Sequence, residues 1–195
     1  ISSIRWADKA MHSDFIHTTA GESFYFETTD NFEDLRQRFF GVIQRCRRTM
    51  QWPAKRVLTW VIDRGIFGSE VFEKVLADPA IHLITWDKGF QTLSWPPAEG
   101  LSGQLVIQRP RNRANDLRSY QIEYWDRSWP KEARLRQIVL QATAPNGRTI
   151  QVAVLSDDHQ REAKEIIVLI LSRWLQENDF KYLDKHFGIN QITSY

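Results

Sequence analysis

Two short apolar runs constrain this chain more than anything else in it. Residues 56–62 read RVLTWVI and residues 81–86 read IHLITW. Neither alternates, which is the pattern of a strand buried on both faces of a largely parallel sheet. Parallel neighbours need a crossover, and the residues between the runs supply one. Gly68-Ser69 opens a helix through Leu76, with Ser69 placed as its N-cap. Upstream, residues 14–19 and 23–28 (SFYFET) read as a hairpin around Ala20-Gly21-Glu22. A helix over 32–48 follows, capped by Asp30-Asn31, with Leu35, Phe39, Val42, Ile43 and Cys46 on its apolar face. Hairpin, helix, strand, helix, strand predicts an α/β fold with a mixed sheet.

At 195 residues and 42% hydrophobic, the chain can bury a substantial core, as one domain or one domain with a large insertion. Its single cysteine, Cys46, excludes a disulfide framework and a cysteine metal site and suits a reducing, cytoplasmic setting. The longest apolar run, 166–171, is interrupted by Ser172-Arg173 and is too short to span a bilayer, so no membrane partner is expected. The sequence opens at Ile1 rather than methionine, and is expected to be a piece of a longer protein.

The character changes over residues 91–148. Turn residues (Pro96-Pro97, Gly100, Gly103 and Pro145-Asn146-Gly147) separate strand-like runs at 105–107, 120–125 and 135–142, with another at 149–155. This predicts an antiparallel β-insertion between a first core part, 1–90, and a second, 149–195. A net charge of +2 says little about partners, but its distribution says more. The insertion carries nine Lys or Arg residues, among them Arg109, Arg111, Arg113, Arg118, Arg134 and Arg136, interleaved with Tyr120, Tyr124, Trp125 and Trp129. Arginine beside aromatics is the composition of a surface that grips a phosphate backbone, and equally of a solvated sheet face with aromatic anchors.

The last strand runs into Ser156-Asp157-Asp158, where Asp157 and Gln160 have the spacing of a capping box, and then into a helical stretch to Tyr182 that Gly188 closes. Ile166, Ile170, Arg173 and Glu177 fall on one stripe of that helix. The upper half of the stripe is core, while the lower half carries an arginine and a carboxylate. Asp63, directly after the first buried strand, sits where open α/β sheets place binding groups, and also where a simple turn residue belongs.

Two segments resemble bacterial insertion-sequence transposases of the DDE type. VIDRGIFGSEVFEKVL with IHLITWDKG is similar to their second catalytic block, and SRWLQENDFKYLDKHFGI to their third, in the same order and on either side of a β-insertion. The resemblance implies an RNase H-like mixed sheet flanked by helices, with the insertion before the C-terminal catalytic helix. It implies two Asp and one Glu holding Mg²⁺ or Mn²⁺. Asp63 then corresponds to the second carboxylate ligand, Glu177 to the third, and Arg173 to the arginine four residues before it. Lys181, one helical turn beyond Glu177, is placed to touch a phosphate. The implied substrate is double-stranded DNA, at transposon terminal repeats and target, cut and joined by phosphodiester hydrolysis and strand transfer. The implied assembly leaves room for a homodimer. Ile170 stands where the family has Tyr, and Asp184 where it has Lys. The first Asp belongs on a strand upstream of the hairpin, where Asp8 and Asp14 are poor matches, so the chain alone is expected not to cut DNA. The alternative is a degenerate or domesticated relative that binds DNA or protein without catalysis.

Overall fold

The computed structural model describes residues 12–29, 34–62, 65–110, 117–143 and 146–173. The chain forms two compact units, one of residues 1–54 with 172–195 and one of residues 55–171.

In the first unit, β1 (His12–His17) and β2 (Ser23–Thr29) pair antiparallel as the predicted hairpin, with Phe15 opposite Phe26. Helix α1 (Leu35–Thr49) follows. Its cap is Asp34, whose carboxylate accepts the Arg36 N–H at 2.9 Å, and the expected cap Asp30-Asn31 lies outside the described residues. Phe39, Val42, Ile43 and Cys46 are buried along one stripe as the periodicity requires, but Leu35, expected on the same face, is exposed in the first turn. Two of the helix's arginines serve this packing. Arg38 is buried against Asp14, and Arg45 donates to Glu27 at 2.9 Å. Glu27 also accepts from the Tyr25 hydroxyl at 2.7 Å. Burial first, and then the neighbouring Glu27, push the Tyr25 hydroxyl up to about 12.

The second unit is built on one six-stranded sheet. In chain order its elements are β3 (Leu58–Val61), α2 (Ser69–Ala77), β4 (Ile81–Trp86), β5 (Gly103–Pro110), β6 (Leu117–Trp129), β7 (Glu132–Thr143), β8 (Thr149–Ser156) and α3 (Ala163–Ser172). The strand order is β3-β4-β8-β7-β6-β5. Only β3 and β4 are parallel, with α2 as their crossover, and every other pair is antiparallel. The fold is therefore mixed α/β. Strands β5 to β7, read as an insertion, continue the same sheet through β8 to β4.

Burial follows that order. Six successive residues of β7, Leu135 to Leu140, are buried, as are Leu83, Ile84 and Thr85 of β4, so the central strands are covered on both faces. On one face, Ile84, Ile122, Tyr124, Ile138, Leu140 and Val154 pack against Ala163, Ile166, Ile167 and Ile170 of α3, whose spacing makes a single helical stripe. Phe72 of α2 meets the Trp129 ring edge-on at 5.5 Å between centroids, and Phe67 closes the trio. Gly103 opens β5 because nothing larger fits, since a Cβ there would lie 2.5 Å from the Tyr124 hydroxyl.

Three local expectations change. The N-cap of α2 is Gly68, and Ser69 is its first helical residue. Strands β6 and β7 extend well beyond the runs read from sequence and meet in a tight turn at Pro130-Lys131. Asp157 does not cap α3, because its carboxylate is bonded to β4, and the helix begins only at Ala163.

Candidate functional site

The parallel pair fixes where a carboxylate-terminated strand ends. Val61 pairs with Ile84, and the Ile62 N–H donates to the Ile84 carbonyl at 2.9 Å, closing the ladder at the residue before Asp63. Asp63 lies outside the described residues, as do Glu177, Lys181, Arg111, Arg113 and Gly188. Arg173 directly follows α3 and is half-buried. Among the described residues no three His, Cys, Asp or Glu side chains form a group able to hold a metal ion.

The neighbouring strand ends in a second aspartate. Asp87 follows β4, is buried, and anchors its backbone by donating N–H to the Ala153 carbonyl at 2.8 Å. Its carboxylate accepts from Gln137 Nε2 at 2.7 Å, Trp129 Nε1 at 3.1 Å and the Gly89 N–H at 3.1 Å. Gln137 in turn accepts from Arg127 Nε at 2.8 Å, and the Arg127 guanidinium lies 4.5 Å from the Trp125 ring centroid. Asp87 is not among the candidate residues singled out from the sequence. The signal was present: an Asp immediately after a buried apolar strand, as at Asp63. Three donors make this carboxylate a staple for the exit of β4, and they leave it little capacity for a further ligand.

A larger ionic cluster gathers around the start of β4 and the residues that follow β8. Asp157 accepts from the Leu83 N–H at 2.7 Å and lies 2.8 Å from His82 Nδ1. Asp158 is buried and accepts from the backbone N–H groups of Gln160 and Arg161 at 3.1 and 3.0 Å and from Arg161 Nε at 3.1 Å. Burial works to raise its pKa, but those donors outweigh burial and hold the carboxyl below its ordinary value. Arg161 also reaches the Thr59 hydroxyl at 3.2 Å.

Arg136, a candidate DNA contact by sequence, belongs to this cluster. It is 8% exposed, pairs with Asp126, and donates to the carbonyls of Asp158 at 2.8 Å and Arg161 at 2.6 Å. It is a structural clasp between β6, β7 and the approach to α3. Arg134 is exposed and bridges Glu73 and Glu132. Its bonds to those two carboxylates hold it more firmly protonated than an ordinary arginine.

Two of the remaining arginines meet at the level of the backbone. Arg109 of β5 is the direct register partner of Arg118 of β6, while their side chains lie outside the described set. The segment joining them contains Arg111 and Arg113 in its sequence, against one acid, Asp116.

No helix among the described residues is long and apolar enough to cross a membrane. Comparison with protein families, curated proteins and solved structures finds no match to the chain.

Proposed function

We propose that this chain is the core of a DDE-type transposase with an RNase H-like sheet, acting on double-stranded DNA. The reading is carried by the order of elements around the parallel pair. A strand ending two residues before Asp63 is followed by a crossover helix, a parallel strand, an antiparallel extension of the same sheet, and a helix that ends just before Arg173, with Glu177 four residues further on in sequence. That is the order in which the two resembling sequence blocks and the β-insertion occur.

In this reading Asp63 and Glu177 hold a divalent cation, Mg²⁺ or Mn²⁺, and Arg173 orients the Glu177 carboxylate. Hard cations select carboxylate oxygens, and the bound ion supplies charge stabilisation during phosphodiester exchange. β3 is one of the two edge strands of the sheet among the described residues, and in this reading the family's first Asp-bearing strand pairs with its outer side. Arg109 and Arg118, with Arg111 and Arg113 between them in sequence, supply the phosphate-contacting tip.

A binding-only relative is the second reading. It is favoured by Ile170, which replaces the family's tyrosine with a residue buried in the core to 1% exposure.

Titration with Mn²⁺ separates the two. For the transposase core, Mn²⁺ binds at one strong site that Asp63→Asn and Glu177→Gln each abolish. Binding indifferent to both substitutions sinks the metal reading. Duplex binding followed by fluorescence anisotropy tests the arginine tip. Arg109→Ala and Arg118→Ala should each reduce the slope of log affinity against log salt by about one.

A further inference from the structure

Helix α1 stops in a doubly bonded turn. The Trp52 N–H donates back to the Arg47 carbonyl at 3.0 Å, the Gln51 N–H to the Arg48 carbonyl at 3.1 Å, and the Met50 N–H to the Cys46 carbonyl at 2.9 Å. In this kind of stop the residue after the cap takes the left-handed conformation, and glycine is its ordinary occupant because a Cβ is costly there. Here that residue is Gln51, with φ 53°, the one non-glycine residue with positive φ among the described residues. The glutamine is held against a backbone penalty. Its side chain lines a surface cleft of about 530 Å³, together with Gln44, Arg47, Arg48 and Trp52.

The cleft has the parts of a site rather than of a solvated helix end. Among the described residues two guanidinium groups line it and no carboxylate does. The Arg48 guanidinium has no ion-pair or hydrogen-bond partner among the described residues, whereas Arg36, Arg38 and Arg45 of the same helix each meet an acid. Arg47 donates to the Ala54 carbonyl at 3.2 Å, which fixes it at the rim. The Trp52 ring is steadied by Phe24, 5.7 Å away between centroids. A helix C-terminus ordinarily repels anions through its bare carbonyls. In this helix the carbonyls of Cys46, Arg47 and Arg48 are already occupied by the three returning N–H groups, which weakens that repulsion.

We propose that this cleft binds a nucleoside 5′-phosphate unit. Arg47 and Arg48 take the phosphate, whose oxygens match the planar guanidinium fork. Trp52 offers the base a stacking face, and the amides of Gln44 and Gln51 meet its edge, for which adenine is the best match to glutamine. The volume falls within the range of small-molecule sites. The site depends on neither Asp63 nor a metal ion.

Calorimetric titration of the whole chain at low salt with adenosine 5′-monophosphate, adenosine and inorganic phosphate tests it. The nucleotide should bind about tenfold or more tightly than either part alone, and Arg48→Gln should weaken it by about tenfold with an unchanged melting temperature. Gln51→Gly should raise the melting temperature while weakening the nucleotide, a combination a purely structural residue does not give. A short single-stranded oligoadenylate distinguishes the source. Tighter binding per site than the mononucleotide assigns the cleft to a nucleic-acid strand, and equal binding assigns it to free nucleotide. Equal affinity for phosphate and nucleotide overturns the proposal, as does an Arg48→Gln chain that binds like the parent.

Discussion

The side-chain amide of Gln137 donates to the Asp87 carboxylate at 2.7 Å, joining the middle of β7 to the residue that follows β4. With Trp129 on the same oxygen and Gly89 on the other, the loop leaving β4 is tied to β6 and β7 through one buried acid. Asp87→Ala strands two side-chain donors and a backbone N–H. It should cost roughly 2–4 kcal/mol in urea denaturation, each orphaned buried donor contributing about 1–3 kcal/mol, less than additively. A loss under about 1 kcal/mol contradicts the staple.

Arg134 and Arg136 make a sharper contrast, two residues apart on one strand. Arg136 is enclosed with Asp126 and serves two carbonyls, while Arg134 holds its two glutamates in solvent. Arg136→Ala should destabilise by roughly 3–5 kcal/mol, the cost of breaking a buried pair from one side. Arg134→Ala should leave the denaturation midpoint close to that of the parent chain, since its ion pairs are exposed to solvent. Chemical denaturation of the two variants side by side decides it, and equal effects contradict the assignment.

How far the sequence carried is visible in these same residues. The apolar runs of β4 and α3 were legible because burial on both faces, or along a stripe, leaves a trace in the chain itself. The run at 56–62 gave the strand β3 but not its place, for β3 lies at the sheet edge, its residues are only partly buried and Val57 before it is exposed. The polar clusters left no such trace. Asp157 had the spacing of a helix cap, yet it bonds His82, 75 residues away in sequence, and no local pattern records a partner at that distance. Arg136 resembled its exposed neighbours in composition, and only the register that sets it near Asp126, Asp158 and Arg161 distinguishes it. Asp87 was hidden for a different reason. Its residue type and its following Lys88-Gly89 fit a turn equally well, and its burial comes from Trp129 and Gln137, both on later strands. The metal and phosphate assignments rest on Asp63, Glu177 and the tip arginines, so they stand on sequence resemblance and backbone register.

Acid stability should report on Asp158. Its carboxyl is held below the ordinary value of 3.8, so the unfolded chain binds the proton more readily than the folded one. The resulting stabilisation is complete above that ordinary value and is lost as pH falls through the lower folded-state value. Urea midpoints measured from pH 5 downward, to about pH 2, should fall more steeply for the parent chain than for Asp158→Asn. Parallel curves contradict the linkage.

Gly103 and Tyr124 form a steric pair. A Cβ at position 103 would meet the Tyr124 hydroxyl at 2.5 Å, and the ring is buried. Gly103→Ala should therefore destabilise by roughly 1–3 kcal/mol through overpacking. Tyr124→Phe in the same chain should recover part of that loss, because it removes the atom in closest conflict. A double-mutant cycle with no coupling between the two sites contradicts the contact.

The strand order has a consequence for the time course of folding. β5-β6, β6-β7 and β7-β8 are each neighbours in sequence and in space, whereas β4 meets β8 only after the whole meander has intervened. Closing a long loop is entropically unfavourable until its contacts form, so local hairpins come first. The meander therefore supplies the template, with β8 as its growing edge. The parallel pair joins last, and with it the strand that leads to Asp63. Native contacts around Val139 should accordingly be established in the transition state, and those around His82 only after it.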